Sequence, residues 1–461
     1  MFDPEVPAGD RTAVDVTAPE HADYVLVGGG LQNGLLALAI RHHQPSASVV
    51  MLERAHVLGG QHTWSFHPGD LSETADAWVG DLVDARWPNY RVHLGGQDRQ
   101  IDLGYSSISS THFAKVIQAL ADESPLFSLQ LNAHVQDVRA DRVRLSDGRT
   151  IRGRLVVDGR GPRDGRDTFS QCGYQKFWGF EIETEKDWPS SNPLIMDDRV
   201  DQSDGFRFIY SLPFEPRRVL VEDTRFSDTS VLDREECLRT VGKYLDERGV
   251  HQWKVVREEH GVLPMPMSGE WKPTGPEAGQ AIAAGYRGGW FHAATGYSFP
   301  LAVQLAETIA SHSIEDAPAA VGELAQLHQR RSSFGRFLNR LLFRLVRPTH
   351  RWQIFRRFYR VLPLPAIERF YSHQFRFRDG FRIVVGRPPG GLQPFRFLKS
   401  FLSRSMASPV HVMSQNHVIS PSHVMPPSHV MPQSHVMPQS HVMPQSHVMP
   451  QSHAVPSQEA R

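Results

Sequence analysis

A short apolar run, Tyr24-Val-Leu-Val, passes directly into Gly28-Gly29-Gly30 and then into a helix-compatible segment ending at Ile40. A second apolar run, Ser48-Val-Val-Met-Leu, ends in Glu53, 23 residues after Gly30. Strand, glycine turn, helix and acid-ended second strand in this order make a βαβ unit built to hold a dinucleotide. Gly28 and Gly29 permit the tight turn, and Gly30 lets the backbone approach a pyrophosphate. The helix N-terminus offers N–H donors and a positive dipole end, while Glu53 accepts from ribose hydroxyls. The third place of the pattern holds Asn33 rather than Gly or Ala, and Gly34 follows one residue later.

Two later segments extend the same site. Leu58-Gly59-Gly60-Gln61-His62-Thr63-Trp64 carries a glycine pair shortly after the second strand. That suits FAD better than NAD, because an extended cofactor must thread past a second backbone loop. Leu155-Val-Val-Asp158-Gly159-Arg160-Gly161 follows a strand-turn-strand run that turns at Asp147-Gly148. The Asp158-Gly159 pair is read as part of the FAD pocket. Phe291-His292-Ala-Ala-Thr295-Gly296-Tyr297-Ser298 precedes helical periodicity at 300–312. A Thr or Ser cap there would aim a second helix N-terminus at the cofactor, favouring an anionic reduced flavin.

The rest of the chain sets limits. Its 461 residues allow two or three domains, and Lys+Arg and Asp+Glu both number 50, which gives no global electrostatic case for nucleic acid. Cys172 and Cys237 alone exclude a disulfide scaffold and a cysteine-rich metal site. No run approaches the roughly 18 apolar residues of a membrane span, and residues 1–22 read as an acidic, disordered leader without an apolar signal core. From about Ser408, Ser-His-Val-Met-Pro-Gln recurs with histidines at 411, 417, 423, 429, 435, 441, 447 and 453. Proline in nearly every unit forbids continuous helix and central strand, so an extended tail follows. It is read as an expanded repeat open to adventitious metal binding; no designed metal site is expected.

These segments resemble the bacterial lycopene β-cyclases, relatives of the plant carotenoid cyclases. The resemblance rests on Leu26-Val-Gly-Gly-Gly-Leu-Gln-Asn-Gly-Leu, Gly60-Gln-His-Thr-Trp-Ser-Phe-His67, Leu155 to Gly161, Gly205 to Phe214, Val219-Leu-Val-Glu-Asp-Thr-Arg-Phe226, Gly261-Val-Leu-Pro-Met-Pro266 and Phe291 to Pro300. Together they span about 23–390 in the family's order. The Asn33-Gly34 ending matches the family's own variant, Ala293-Ala294 replaces its usual Pro-Thr, and the tail repeat lies outside its pattern. The resemblance implies an α/β fold. A Rossmann-type FAD-binding domain (23–165 and 276–315) would carry an inserted antiparallel-sheet substrate domain (166–275). A basic helical subdomain (316–400) and a disordered repeat tail (401–461) would complete the chain.

The implied reaction protonates a linear ψ-end of lycopene, closes the ring through a carbocation and releases a proton to give the β-ring. Reduced FAD is required without net redox turnover, and NAD(P)H serves only to keep it reduced. Such chemistry needs an acid in a dry pocket. Arg218-Val-Leu-Val-Glu222-Asp223-Thr224 reads as a buried strand ending at a polar site. Adjacent strand side chains face opposite ways, so Glu222 and Asp223 cannot both line one cleft unless the strand ends or bulges. The family's carboxylate pair maps onto both, with Glu222 as the acid/base and Asp223 in support. Phe177, Trp178, Phe180, Phe206, Phe208 and Tyr210 add an aromatic stripe, read here as core.

Lycopene is insoluble in water and must be collected from a bilayer. Arg330 to Arg378 contains thirteen arginines against one acid, Glu368, interleaved with large apolar residues at helical spacing. This describes an interfacial surface on the inner face of the cell membrane, with a packed helical cap as the competing reading and nucleic acid binding well behind. Two other functions share the FAD domain: a flavin monooxygenase or polyprenyl reductase, which would consume hydride or oxygen, and a non-catalytic carotenoid-binding flavoprotein.

Overall fold

The computed structural model describes residues 19–161, 172–267, 277–386, 388–395 and 397. The leader to residue 18 and the repeat tail from 401, with its eight histidines, lie outside the described residues.

Regular structure begins two residues earlier than the composition implied. β1 (His21–Val27) leads through the glycine loop into α1 (Leu31–His43) and β2 (Val49–Leu52). β3 (Thr63–Phe66), α2 (Glu73–Val79), β4 (Ala85–Trp87), β5 (Tyr90–Leu94), β6 (Gln97–Ile101) and β7 (Tyr105–Ser109) follow. After α3 (Ser110–Glu123) come β8 (Phe127–Gln130), β9 (Val135–Val138), β10 (Arg142–Leu145) and β11 (Thr150–Asp158). The middle of the chain is β12 (Cys172–Thr184), β13 (Leu194–Asp197), β14 (Phe206–Glu215), β15 (Arg218–Ser227), α4 (Arg234–Asp246) and β16 (Trp253–Pro266). β17 (Ile282–Ala283), α5 (Gly285–Gly288) and α6 (Phe299–Ser311) return to the first sheet. α7 (Ala317–Arg340), α8 (Trp352–Val361), α9 (Leu364–Tyr371) and α10 (Phe377–Val384) complete the described chain.

The apolar runs at 24–28, 48–53 and 154–158 become neighbours in one sheet, ordered β8-β2-β1-β11-β10-β9, with β17 beside β11. Its β8, β2, β1, β11 and β17 run parallel. Tyr24, Leu26, Val49 and Met51 pack with Leu35, Leu36, Leu305 and Ile309 of α1 and α6. Val25, Val27, Val50 and Val156 fill the opposite face with Val143 and Ile151. Cover on both faces explains why these strands read as unbroken apolar runs.

A second sheet is ordered β16-β12-β15-β14-β13-β5-β6, and β3-β7-β4 form a third, small one. Residues 90–101, placed by sequence with the nucleotide-binding domain, pair into the second sheet, where Tyr90, Val92, Leu94 and Ile101 join the core of Phe206, Phe208 and Phe226. The pairing is non-local, so nothing in the local pattern announces it.

The C-terminal helices pack against that same core through Phe343, Tyr359 and Ile367. Of the thirteen arginines only Arg330, Arg347, Arg360, Arg376 and Arg378 are exposed. Arg351 is fully buried and donates to Asp228 at 2.7 Å and to the Leu342 and Phe226 carbonyls at 3.1 Å. Much of the basic run therefore holds the fold. No helix among the described residues is long and apolar enough to cross a membrane.

Candidate active site

The glycine loop is held from three sides. Gly28 has φ +97°, and a side chain there would meet the Gly159 backbone at 2.9 Å. Gly29 donates to Glu53 Oε2 at 2.6 Å, and Ala55 donates to the other carboxylate oxygen at 2.8 Å. Each oxygen keeps a further lone pair for a ribose hydroxyl. Asn33 is buried and donates to the carbonyls of Val27 and Gly28 at 2.9 and 2.8 Å. Its side chain therefore clamps the turn from below. Gly34 performs the packing role of the missing third glycine, since a Cβ there would strike Phe113 of α3 at 2.2 Å. The family-like Asn-Gly ending thus divides turn and packing between two residues.

Beside Gly30 an added Cβ would meet nothing within 4 Å, and α1 starts there without a side-chain cap or an acid in its first turn. A bare, uncapped helix start facing open space fits a pyrophosphate. Asp158 lies at the end of β11, bound by Arg160 at 2.9 Å and Arg287 at 2.7 Å, and the Gly159 N–H donates to Val27 at 2.8 Å. Glycine loop and Asp158-Gly159 are therefore one continuous cradle. The residues present fit a flavin dinucleotide.

The second glycine pair also reaches this cradle, because Gly59 donates to the Gly29 carbonyl at 2.9 Å, and Gly60 is exposed beyond it at φ +65°. His62 follows, pushed down to about 4 by burial, His260 and Arg257. Gln61 and Thr63 contact β16: Gln61 Nε2 lies 2.9 Å from His260 Nδ1, and Arg257 donates to the Gln61 carbonyl at 2.7 Å. The loop before α6 meets β16 as well. Gly296 has φ +69°, and a side chain there would touch Leu263. Thr295 Oγ1 accepts from the Tyr297 N–H at 3.2 Å, and Tyr297 donates to buried Asp70 at 2.7 Å. Ser298 occupies the N-cap of α6 but makes no capping hydrogen bond, so the expected side-chain cap is replaced by an uncapped helix start. Thr295 turns its hydroxyl to its own loop instead.

β15 settles the carboxylate question by alternation. Contrary to the sequence expectation, the strand does not end at Glu222-Asp223 but continues to Ser227. Val219, Val221 and Asp223 share a face with α4. Asp223 accepts from Arg207 at 2.6 and 2.9 Å and from Arg225 at 3.0 Å. Burial alone would raise its carboxyl, but the two guanidiniums outweigh that and hold it below the usual range. With its charge paired, Asp223 lets the strand run on.

Glu222 lies on the opposite face, opposite Tyr210 on β14 and Gly179 on β12. Gly179 in turn pairs with Glu259 on β16, so both glutamates flank a position without a side chain. Burial pushes the Glu222 carboxyl up to about 8, reinforced by the charges of Glu259 and Asp223 and opposed by the Thr224 hydroxyl, which donates to it. Tyr210 joins Ser65 at 2.9 Å and Tyr105 at 3.1 Å. Sequence reasoning took Tyr210 only as core and passed over Glu259 and Arg257. The signal was the acidic pair Glu258-Glu259 just ahead of Gly261. Of the aromatic stripe, Phe180 packs with α4, while Phe206 and Phe208 belong to the opposite core.

A family model described as "Lycopene cyclase protein" matches residues 23–396. The chain belongs to the lycopene cyclase family. It is 38% identical over 371 residues to "Lycopene beta-cyclase" of Pseudescherichia vulneris, covering 80% of this chain and 94% of that one. The corresponding figures for "Lycopene beta-cyclase" of Pantoea ananas are 37% over 372 residues, 80% and 95%. Among solved structures, a geranylgeranyl bacteriochlorophyll reductase-like protein from Thermoplasma acidophilum aligns with TM-score 0.53 at 13% identity, over 79% of this chain and 96% of that one. That likeness concerns the fold. Both the cradle and Glu222 lie inside the matched span.

Proposed function

We propose that the chain is a lycopene β-cyclase, which converts the linear ψ-ends of lycopene to β-rings. One observation carries the reading: within a family match over residues 23–396, a sheet face presents a buried carboxyl at Glu222 between side-chain-free Gly179 and Tyr210, where burial favours the protonated form. A neutral carboxyl among aromatic side chains suits proton donation to an alkene.

Gly28, Gly29, Gly30, Glu53 and Asp158-Gly159 would hold FAD, with Gly60, His62, Thr295, Gly296 and Tyr297 along its flavin end and Asn33 and Gly34 shaping the turn. Reduced FAD, maintained by NAD(P)H, would supply an electron-rich, anionic surface facing the cation. The chain's own part is proton management. Glu222 gives its proton to the ψ-end double bond: an O–H bond breaks and a C–H bond forms. Ring closure moves the positive charge, and loss of a ring proton to the Glu222 carboxylate restores the acid. Substrate and product are isomers, so no hydride or oxygen is consumed. Asp223, locked between Arg207 and Arg225, supports the strand that carries Glu222.

Supply of so apolar a substrate is assigned to a membrane surface. Phe377 is 90% exposed and Phe381 57%, and exposed Val384 extends the same face of α10, with Val385 just past its end and exposed Arg378 and Arg382 beside it. An apolar helix face edged by cations describes peripheral attachment to an anionic leaflet.

The test is expression of the full chain in cells that accumulate lycopene, followed by chromatography of the pigments. β-Carotene establishes the reading, and a one-ringed product narrows it to one end. Unchanged lycopene with stoichiometric NAD(P)H oxidation on an apolar substrate would replace it by a reductase or monooxygenase.

A further inference from the structure

The acid has a second carboxylate for a neighbour. On the shared face, β16, β12, β15 and β14 set Glu259, Gly179, Glu222 and Tyr210 in one row across four strands. A Cβ on Gly179 would stand 3.0 Å from Glu259 Cγ and 3.1 Å from Leu220 Cδ1, tight contacts that glycine avoids, and 3.6 Å from Glu222 Cβ, an ordinary contact. Glu259 is 2% exposed. Its Oε2 accepts from Thr63 Oγ1 at 2.7 Å and from Arg257 at 2.8 Å, and Arg257 also binds Glu181 at 2.6 Å. Among the described residues, Glu222 accepts from the Thr224 hydroxyl and from no cation. Burial raises the Glu259 carboxyl as well, but Arg257 and Thr63 oppose it there, whereas at Glu222 the Thr224 hydroxyl is the opposing group; the carboxyl with the guanidinium carries the charge and the other keeps the proton.

We propose that Glu259 is a positioning residue for the acid: clamped by Arg257 and Thr63 across the side-chain-free Gly179, its negative charge keeps the proton on Glu222 and favours uptake of a ring proton there after ring closure. This rests on the reading of Glu222 as the cyclising acid. After Glu222 protonates the alkene, two carboxylates face each other in a dry site, and their repulsion raises the basicity of Glu222 for the closing deprotonation. The donated proton stays in the new C–H bond, a ring proton from the broken C–H bond comes to the same oxygen pair of Glu222, and Glu259 exchanges none. The other groups facing the pair are Tyr210 from β14, Glu181 from β12 and Asp223 from the far side of β15. Asp223 is neutralised by arginines, and Glu181 shares Arg257 and Arg218.

The experiment is an infrared titration of the full-length, purified protein, following the protonated carboxyl band that disappears in Glu222→Gln. In Glu259→Gln the midpoint of that band should fall by about one pH unit, because the repelling charge is gone. The alkaline limb of the cyclisation rate should move down with it. Glu259→Asp retains the charge and should hold the midpoint near the wild-type value. A midpoint unmoved in Glu259→Gln, or shifted equally in Glu259→Asp, overturns the proposal. Should Glu259→Gln not accumulate as folded protein, Glu259→Met, which also removes the charge at similar volume, must move the midpoint in the same direction. The titration needs no turnover, so a chain that fails to cyclise lycopene defeats the function while leaving this coupling measurable.

Discussion

Glu222 and Asp223 are adjacent in sequence and opposite in consequence. Glu222→Gln removes the proposed proton donor while preserving shape. It should lower cyclisation by about 100-fold or more with flavin content retained, as measured by pigment formation and flavin absorbance. In the wild type, the acid is lost as pH rises through about 8, so the rate should decline above that value and not below it. Asp223→Asn is expected to act on stability. It leaves Arg207 and Arg225 short of their shared counter-charge in a buried site, which costs about 3–5 kcal/mol in urea unfolding. Both residues were visible in the sequence, but their different partners were not. Alternation along β15 predicts opposite faces; that Asp223 meets two arginines and Glu222 meets a glycine depends on cross-strand register, which the local pattern does not carry.

At the scale of elements, legibility followed locality. The turn from β1 into α1 demands positive φ at Gly28 and close approach at Gly34, and both demands are written as glycine. Glu259 went unnoticed because its partner Thr63 lies 196 residues away. The basic C-terminal run misled in a different way: spacing located helices but could not say which arginines were consumed by the core, as Arg351 is. The exposed apolar side chains with cations beside them lie on α10. Replacing Phe377 and Phe381 together by Ser should weaken binding to anionic vesicles by about tenfold or more, since each large apolar side chain contributes about 1.5–3 kcal/mol when fully buried. Activity on lycopene presented in detergent should survive. Equal vesicle binding by the double variant would remove α10 from the membrane reading.

Across the whole molecule, the loop before α6, helix α7 and the segment after α9 meet at three buried histidines. His292, His328 and His373 are each at most 1% exposed, and the rings of His328 and His373 stack with their Nδ1 atoms 3.2 Å apart. His292 lies edge-on to His373 at 4.7 Å. Burial pushes His292 and His328 down to about 4, and His373 well below its ordinary value with help from the other two. The folded-state values lie below the unfolded one, so the folded state binds fewer protons. Stability from this cluster is therefore present above about pH 6.5 and lost as pH falls toward about 4. For one histidine this amounts to something on the order of 3 kcal/mol, and the three are coupled, so they do not add. Glu222 works in the opposite sense over part of the same range, because its raised carboxyl gains a proton first in the folded state. The decisive measurement is thus a difference. His328→Gln removes one titrating ring, and between pH 6.5 and 4.5 its unfolding free energy should fall less steeply than that of the wild type. Equal slopes would show that the cluster does not couple acid to the joint between the loop before α6 and the C-terminal helices.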